Sequence, residues 1–237
     1  MKKIIHRAED RGHANHGWLD AHHSFSFASY QDDSKVHFGE LRVLNDDTIA
    51  PSMGFGKHPH DNMEIVTIPL AGAIKHVDSM GNSGIIKVGD VQIMSAGKGI
   101  LHSEHNASVS EPLNLFQIWV FPKVRNIEPR YEQKTFLVAD RKNKFQTIVS
   151  PNKEDGGVWI NQDAWFSLGD FDAHQTVSYA PKLKQNGLYI MLVNGEVEID
   201  GEILKKRDAI GLSGLEVVTV KVNADTELLV LDIPMVY

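Results

Sequence analysis

Residues 54–64 read G-F-G-K-H-P-H-D-N-M-E, and residues 97–105 read G-K-G-I-L-H-S-E-H. Side chains two apart on a β-strand share a face. His58 and His60 therefore point the same way, and so do His102 and Glu104. Two such strands side by side bring three imidazoles and a carboxylate together, a donor set for one first-row transition metal. Glu64 also lies an even number of residues from His60, so parity leaves it as an alternative carboxylate. An isolated H-x-H is a weak signal. Two same-face pairs, each after a Gly-rich turn, are far more specific. Pro59 removes a ladder donor, which fits a strand edge or bulge at the mouth of a barrel.

The surrounding sequence is all β. V-T-I-P-L, A-I-K-H-V, I-I-K-V, V-Q-I-M and L-N-L-F-Q-I-W-V follow one another, separated by Ala71-Gly72, M-G-N-S-G, Gly89-Asp90 and S-A-G-K-G. Short strands at regular spacing with glycine punctuation predict a sandwich or barrel. Upstream, His23, Phe25 and Phe27 alternate with Ser24 and Ser26, the period of a half-buried strand. Leu41 and Val43 read as a short strand, and Asp46-Asp47 as the turn after it. His13, His16, His22 and His23 lie in a Gly-rich region without a carboxylate at matching spacing, so they read as polar packing or as partners that orient other groups.

Residues 122–132, P-K-V-R-N-I-E-P-R-Y-E, are rich in Pro and charge and mark the expected boundary. This divides the chain into residues 1–130, which carry the metal-binding residues, and residues 131–237. The second part resumes short strands, with Asn194-Gly195 and Asp200-Gly201 as hairpin turns. The two parts resemble each other. Gly72 matches Gly195, Asp90 matches Asp208, and Gly97 matches Gly214. Counting back, the place of His58 falls near Pro181, and L-E-V-V-T-V stands where His102 and Glu104 would be. The chain reads as a duplicated β-barrel with ligands in the first copy only.

Composition sets limits on function. Of 237 residues, 12 are histidine, and all but His174 lie at or before His105, so metal chemistry belongs to the first half. The formal net charge of −7 and the lack of a basic run argue against direct nucleic-acid contact or an anionic membrane surface. There is no cysteine, hence no thiolate ligand. The N-terminus lacks a long apolar segment and no run is long enough to span a bilayer, so a cytoplasmic protein is expected.

Four protein ligands on an octahedral metal leave two positions open, as a reactive centre requires. Asp61, Asn62, Glu64 and His105 are near enough in sequence to fix ligand orientation. Met53, Phe55, Met63, Met94, Phe116 and Trp119 read as core, with Phe55, Met63, Met94 and Trp119 as candidates for an apolar pocket over the metal. His76 and Asp78 on the hairpin read as a solvated face.

G-F-G-K-H-P-H-D-N-M-E-I-V-T-I-P-L-A-G resembles the first cupin motif, and I-M-S-A-G-K-G-I-L-H-S-E-H-N the pirin form of the second. The opening R-G-H-A-N-H-G-W-L-D-A-H-H-S-F-S-F-A-S-Y, with L-R-V-L-N-D-D, Q-I-W-V-F-P and P-R-Y-E-Q, is similar to bacterial pirin-like proteins. The resemblance is strong over residues 1–133 and architectural beyond. It implies an all-β bicupin: two stacked antiparallel β-barrels, few short helices, and a degenerate second barrel without ligands. It implies His58, His60, His102 and Glu104 as ligands of one divalent transition metal, Fe(II) foremost, with Ni, Cu, Mn, Co or Zn also suited to these donors. The cupin glutamate at Glu64 is then left to orient them.

Bacterial pirin-like proteins are similar to quercetin 2,3-dioxygenases. The implied reaction is dioxygen-dependent opening of the central ring of a flavonol, with loss of carbon monoxide and with Glu104 as the base that takes the 3-hydroxyl proton. The implied partners are a small aromatic substrate and dioxygen. The alternative is a metal-dependent, redox-sensing regulatory protein that binds a transcription factor or enzyme, or an oxygenase or isomerase of another enolisable substrate.

Overall fold

The turns read from the sequence do punctuate the strands. The computed structural model, which describes residues 1–235, opens with β1 (Lys2–His6), β2 (Gly12–Asn15), β3 (Leu19–His23) and β4 (Leu41–Ile49). The H-x-H stretch forms β5 (Gly54–His60). Then come β6 (Glu64–Ala71), β7 (Ala73–Asp78), β8 (Ser83–Lys87) and β9 (Asp90–Ser95). The H-S-E stretch forms β10 (Ile100–Asn106), followed by β11 (Leu113–Val120) and β12 (Arg130–Thr135). The second half contains β13 (Phe145–Ser150), β14 (Val158–Trp159), β15 (Trp165–Phe171), β16 (Thr176–Tyr179), β17 (Asn186–Asn194) and β18 (Glu196–Ile199). It ends with β19 (Glu202–Lys205), β20 (Ala209–Ser213), β21 (Val218–Val222) and β22 (Thr226–Pro234). Helical structure among the described residues is limited to 3₁₀ turns at Ala8–Asp10, Val138–Arg141 and Lys153–Asp155.

Each half is a cupin-type pair of facing sheets, hydrogen-bonded as two layers rather than as a closed cylinder. The first half orders its strands β12-β9-β6-β11-β4-β3-β2 against β5-β10-β7-β8. The second orders them β1-β20-β17-β22-β15-β13-β14 against β16-β21-β18-β19. The two orders correspond from β12 to β3 and from β1 to β13, with β1 in the second half playing the part that β12 plays in the first; at the far edge β2 pairs antiparallel with β3, whereas β14 pairs parallel with β13. Local chemistry repeats as well. Asp90 accepts the backbone N–H of Lys87 at 3.1 Å, and Asp208 accepts that of Lys205 at 3.0 Å. Gly72 and Gly195 turn their hairpins at φ of 76° and 98°, in the left-handed region open to glycine.

Strand alternation separates two cores. Leu188, Ile190 and Leu192 point into the second half, where they meet Val197, Ile199, Leu204, Val220 and Val222. Tyr189, Met191 and Val193 point the other way and join Val66, Ile68, Ile93, Phe116 and Ile118 of the first half. The two seven-stranded sheets thus lie back to back over a continuous apolar layer, in which each fully buried large side chain contributes about 1.5–3 kcal/mol. The interior of the first half differs. It holds two small apolar groups, one around Ile49, Ile74 and Leu115 and one around Ile65, Met94 and Ile100.

Strand register shows what replaced the histidines. His60 closes β5 opposite Ile100, the first residue of β10, and His58 lies opposite His102. Tyr179 closes β16 opposite Val218, the first residue of β21, and Val177 lies opposite Val220. The places of His58, His60, His102 and Glu104 are therefore taken by Val177, Tyr179, Val220 and Val222, all packed in the second apolar core. The H-x-H equivalent falls at Val177 and Tyr179, not near Pro181, because the intervening loops differ in length. Two further readings shift. The strand expected through Phe27 ends at His23, since Ser26 N–H turns away to Lys35 O. Asp46 and Asp47, which read as a turn, lie within β4 on opposite faces.

Candidate metal centre

β5 and β10 are neighbours, and their side chains meet on the inner face of the four-stranded sheet. Ile100, His102, Glu104 and Asn106 alternate inward, while Leu101, Ser103 and His105 face out. β5 keeps the same face with one interruption. Its register against β10 shifts between His102 and Glu104, so that Glu104 lies opposite Phe55. The resulting bulge puts the extra residue at Gly56-Lys57, and the freed Gly56 carbonyl accepts from His58 Nδ1 at 2.7 Å. With Nδ1–H so engaged, His58 Nε2 carries the lone pair and is turned inward.

His58 Nε2 and His102 Nε2 are 3.0 Å apart. The rings of His58 and His60 lie 4.8 Å apart, and those of His60 and His102 4.9 Å. One donor nitrogen from each of the three lies within 4.8 Å of the others. Burial pulls the His60 imidazole down to about 4 and the His102 imidazole to about 2, so both are neutral, the metal-binding form. The donor set fits a divalent metal. Bonds of about 2.1 Å place neighbouring octahedral donors about 3 Å apart, matching the His58–His102 spacing.

Glu104 stands beside this triad and is grouped with His102 and His76. Gln117 Nε2 donates to Glu104 Oε2 at 3.0 Å, and Thr67 Oγ1 donates to Gln117 Oε1 at 3.2 Å. Glu104 Oε1 is buried with no protein partner. Burial raises the carboxyl to about 7, against the opposing pull of the side-chain hydrogen bonds. A carboxyl with one oxygen fixed and the other free, titrating near neutrality, can ligate a cation or take a proton.

His76 and Asp78 are not a solvated face. They alternate inward with Ile74 on β7, and both side chains are fully buried. His76 Nδ1 lies 3.5 Å from His102 Nδ1, and His76 Nε2 lies 3.6 Å from Asp78 Oδ2. Asp78 is itself held by the backbone N–H groups of Met80 and Asn82. His76 therefore backs the His102 ring, with Asp78 close behind it and its own Nε2 buried without a hydrogen-bond partner. The signal in sequence was the inward parity of Ile74, His76 and Asp78.

The residues expected to orient the ligands fall elsewhere. Glu64 lies on the opposite face of β6 from Ile65 and Thr67. Its Oε2 accepts from Ser95 Oγ at 2.8 Å and from Asn161 N–H at 3.1 Å, toward the second half. His105 points outward, and Asp61 is exposed beside the mouth. Glu64 and His105 are separated from the histidines by the strand itself.

The triad opens on a cavity of about 200 Å³. Its walls include Phe55, Ile65 and Trp119, and also Phe27, Asn45 and Asp47. Trp119 stands edge-on to His60 at 4.9 Å. Met63 and Met94 pack with Ile65 behind this wall. Phe116 faces the other half, and Met53 is largely exposed. His23 also lines the cavity, with Nδ1 2.9 Å from Asn45 Oδ1. His13 and His22 stack on the outer face of the β2–β3 hairpin, with Asp20 2.6 Å from His13; Asp20 stands two residues before His22, at the same-face spacing, so a carboxylate does accompany these histidines.

Residues 5–120 match the family model described as Pirin, and residues 147–233 match that of the quercetinase C-terminal cupin domain. The chain is 41% identical over 237 residues to quercetin 2,3-dioxygenase of Escherichia coli strain K12, covering 98% of this chain and 99% of that one. It is 43% identical over 222 residues to a pirin-like protein of Caulobacter vibrioides, covering 93% and 95%. The crystal structure of the Escherichia coli bacterial pirin YhhW in complex with nickel(II) superimposes with a TM-score of 0.94 at 39% identity, covering 99% of this chain and 100% of that one.

Proposed function

The chain belongs to the pirin family, and from that premise we propose that it is a metal-dependent dioxygenase that opens the central ring of flavonols such as quercetin. The observation that carries the reading is the convergence of three imidazoles and the free Glu104 oxygen on one aromatic-walled cavity. Near-complete overlap with the Escherichia coli quercetin 2,3-dioxygenase supports the substrate class.

His58, His60 and His102 hold the metal through ring nitrogens, with Glu104 as the fourth donor. Fe(II) is the metal we assign, and the same nitrogen and oxygen donors suit nickel(II). When bound, the metal supplies a Lewis acid for the substrate oxygen and a template for the reaction. The protein's own part is as follows. Phe27, Phe55 and Trp119 take up a flat aromatic ring and keep water from it. Glu104 Oε1 accepts the proton of the substrate hydroxyl, a step suited to a group that titrates near 7. Gln117, steadied by Thr67, keeps Oε2 fixed while that proton moves. His76, packed against the His102 ring with its Nδ1 3.5 Å from that of His102, limits how far that ring can turn.

The test is anaerobic loading of metal-free protein with each candidate metal, followed by oxygen uptake and carbon monoxide release with quercetin. Metal-dependent uptake with carbon monoxide supports the reading. About one metal per chain without uptake overturns the assigned reaction and leaves the metal centre standing.

A further inference from the structure

Asp47 lies on the cavity wall opposite the histidines. The histidines and Glu104 come from the four-stranded sheet, whereas Asp47 comes from β4, beside the central strand β11 of the seven-stranded sheet. Its cross-strand neighbours are Leu115 and Ala21, both apolar. The residue is 5% exposed, and its Oδ1 has no partner. The adjacent Asp46 faces the other way and takes the cations: Arg207 Nε at 2.6 Å and Arg11 Nη1 at 3.7 Å. Asp47 is left as a buried carboxyl with no paired cation, flanked across its strand by apolar side chains.

A buried carboxyl without a partner is costly as structure, and a hydrophobic residue would serve packing better. The second half makes this comparison directly. Ile49 closes β4 opposite Leu113, the first residue of β11, and Phe171 closes β15 opposite Thr226, the first residue of β22. The place of Asp47 is thus Gly169, and the place of Gln117 is the buried Val230. The half without the histidine cluster has no carboxyl there.

We propose that Asp47 is a catalytic residue of this site, donating a hydrogen bond from its carboxyl O–H to the ketone oxygen of the bound substrate. The assignment rests on the reading above, in which the substrate is an aromatic hydroxyketone. Burial, with Asp46 and Glu104 nearby, raises the carboxyl to about 8, so the proton is present at neutral pH. The cavity then has complementary walls. Glu104 accepts a proton at the hydroxyl, and Asp47 donates to the neighbouring ketone, where negative charge accumulates once the hydroxyl is ionised. A neutral acid in an apolar wall is a strong donor to such an oxygen, because no water competes.

The test compares wild type, Asp47→Asn and Asp47→Ala, loaded with the same metal. Metal content, anaerobic quercetin affinity by absorbance titration, and kcat/KM are measured for each. Asn keeps a donor of similar size, so affinity and kcat/KM are expected within about threefold of wild type. Ala removes the donor, and both are expected to fall by about tenfold or more with metal content unchanged. If the Ala variant does not fold, the isosteric pair Asp47→Thr and Asp47→Val gives the same contrast between donor and non-donor. Wild type that binds quercetin while the non-donor variants match it in affinity and rate overturns the assignment of Asp47 alone. Wild type that neither binds nor consumes quercetin overturns the flavonol reading, and this assignment with it.

Discussion

His58 Nε2 and His102 Nε2 face each other at 3.0 Å across the β5–β10 pair. Two lone pairs at that distance repel unless a proton or cation lies between them. Replacing either histidine with alanine is therefore expected to abolish stoichiometric metal binding, leaving less than about a tenth of an equivalent per chain. Elemental analysis of untagged protein, alongside circular dichroism to confirm the fold, checks this. Full metal occupancy in His102→Ala would remove that residue from the ligand set.

The pair behind the ring is expected to matter for affinity. His76→Phe keeps an aromatic ring in the space but deletes the nitrogen 3.5 Å from His102 Nδ1. Metal affinity, measured by competition with a chromophoric chelator, is expected to fall about 10–100-fold. Unchanged affinity would assign His76 to packing.

Gln117→Leu tests the Glu104 proton. The Gln117 hydrogen bond holds the Glu104 carboxyl down against burial. Removing it raises the carboxyl further, so the acidic limb of kcat/KM is expected to move to higher pH by about one unit. A pH-rate profile with quercetin reads this directly, and an unmoved limb would place the base elsewhere.

Glu64 gives a prediction for stability. Burial raises its carboxyl to about 7, against hydrogen bonds from Asn161 and Ser95. A raised carboxyl binds its proton more tightly in the folded state than in the unfolded one. Its contribution is then fully present below about pH 4.5 and lost as pH rises through about 7, a change on the order of 3 kcal/mol. Glu64→Gln keeps an acceptor and a donor at that place without the charge. The variant is expected to gain on wild type in thermal stability at pH 8 and to match it near pH 4.5. A difference that does not vary with pH would show that the carboxyl is ionised without cost.

The convergence of His58, His60 and His102 was legible because strand parity is strict and both pairs sit on strands that are neighbours. The all-β architecture and the duplication were legible from turn residues, and Asp90 and Asp208 make the same turn hydrogen bond. What parity could not supply was the partner sheet. Glu64 shares its parity with His60, but a turn at Asp61-Asn62 separates the two strands and puts β6 in the other sheet, where Glu64 faces outward. Asp46-Asp47 has turn composition, yet β4 runs through it, because each carboxylate has its own environment on one face. His76 and Asp78 looked like ordinary polar residues of a hairpin, since nothing local shows that the interior they enter is polar.

β1 belongs to the second half, where Ile4 pairs with Gly211 and Ile5 with Ile210. His6 Nδ1 meets Tyr189 Oη at 2.9 Å, and Arg7 reaches Asp208 at 3.1 Å. Along the chain, β1 precedes the strand it docks on, β20, by some two hundred residues, so the two can meet only after the whole of the first half has been made. β1 must therefore stay unpaired until β20 exists, and closing so long a loop is a late and slow event. A change within β1 acts on that closure, so its cost should appear in soluble yield rather than in the metal centre.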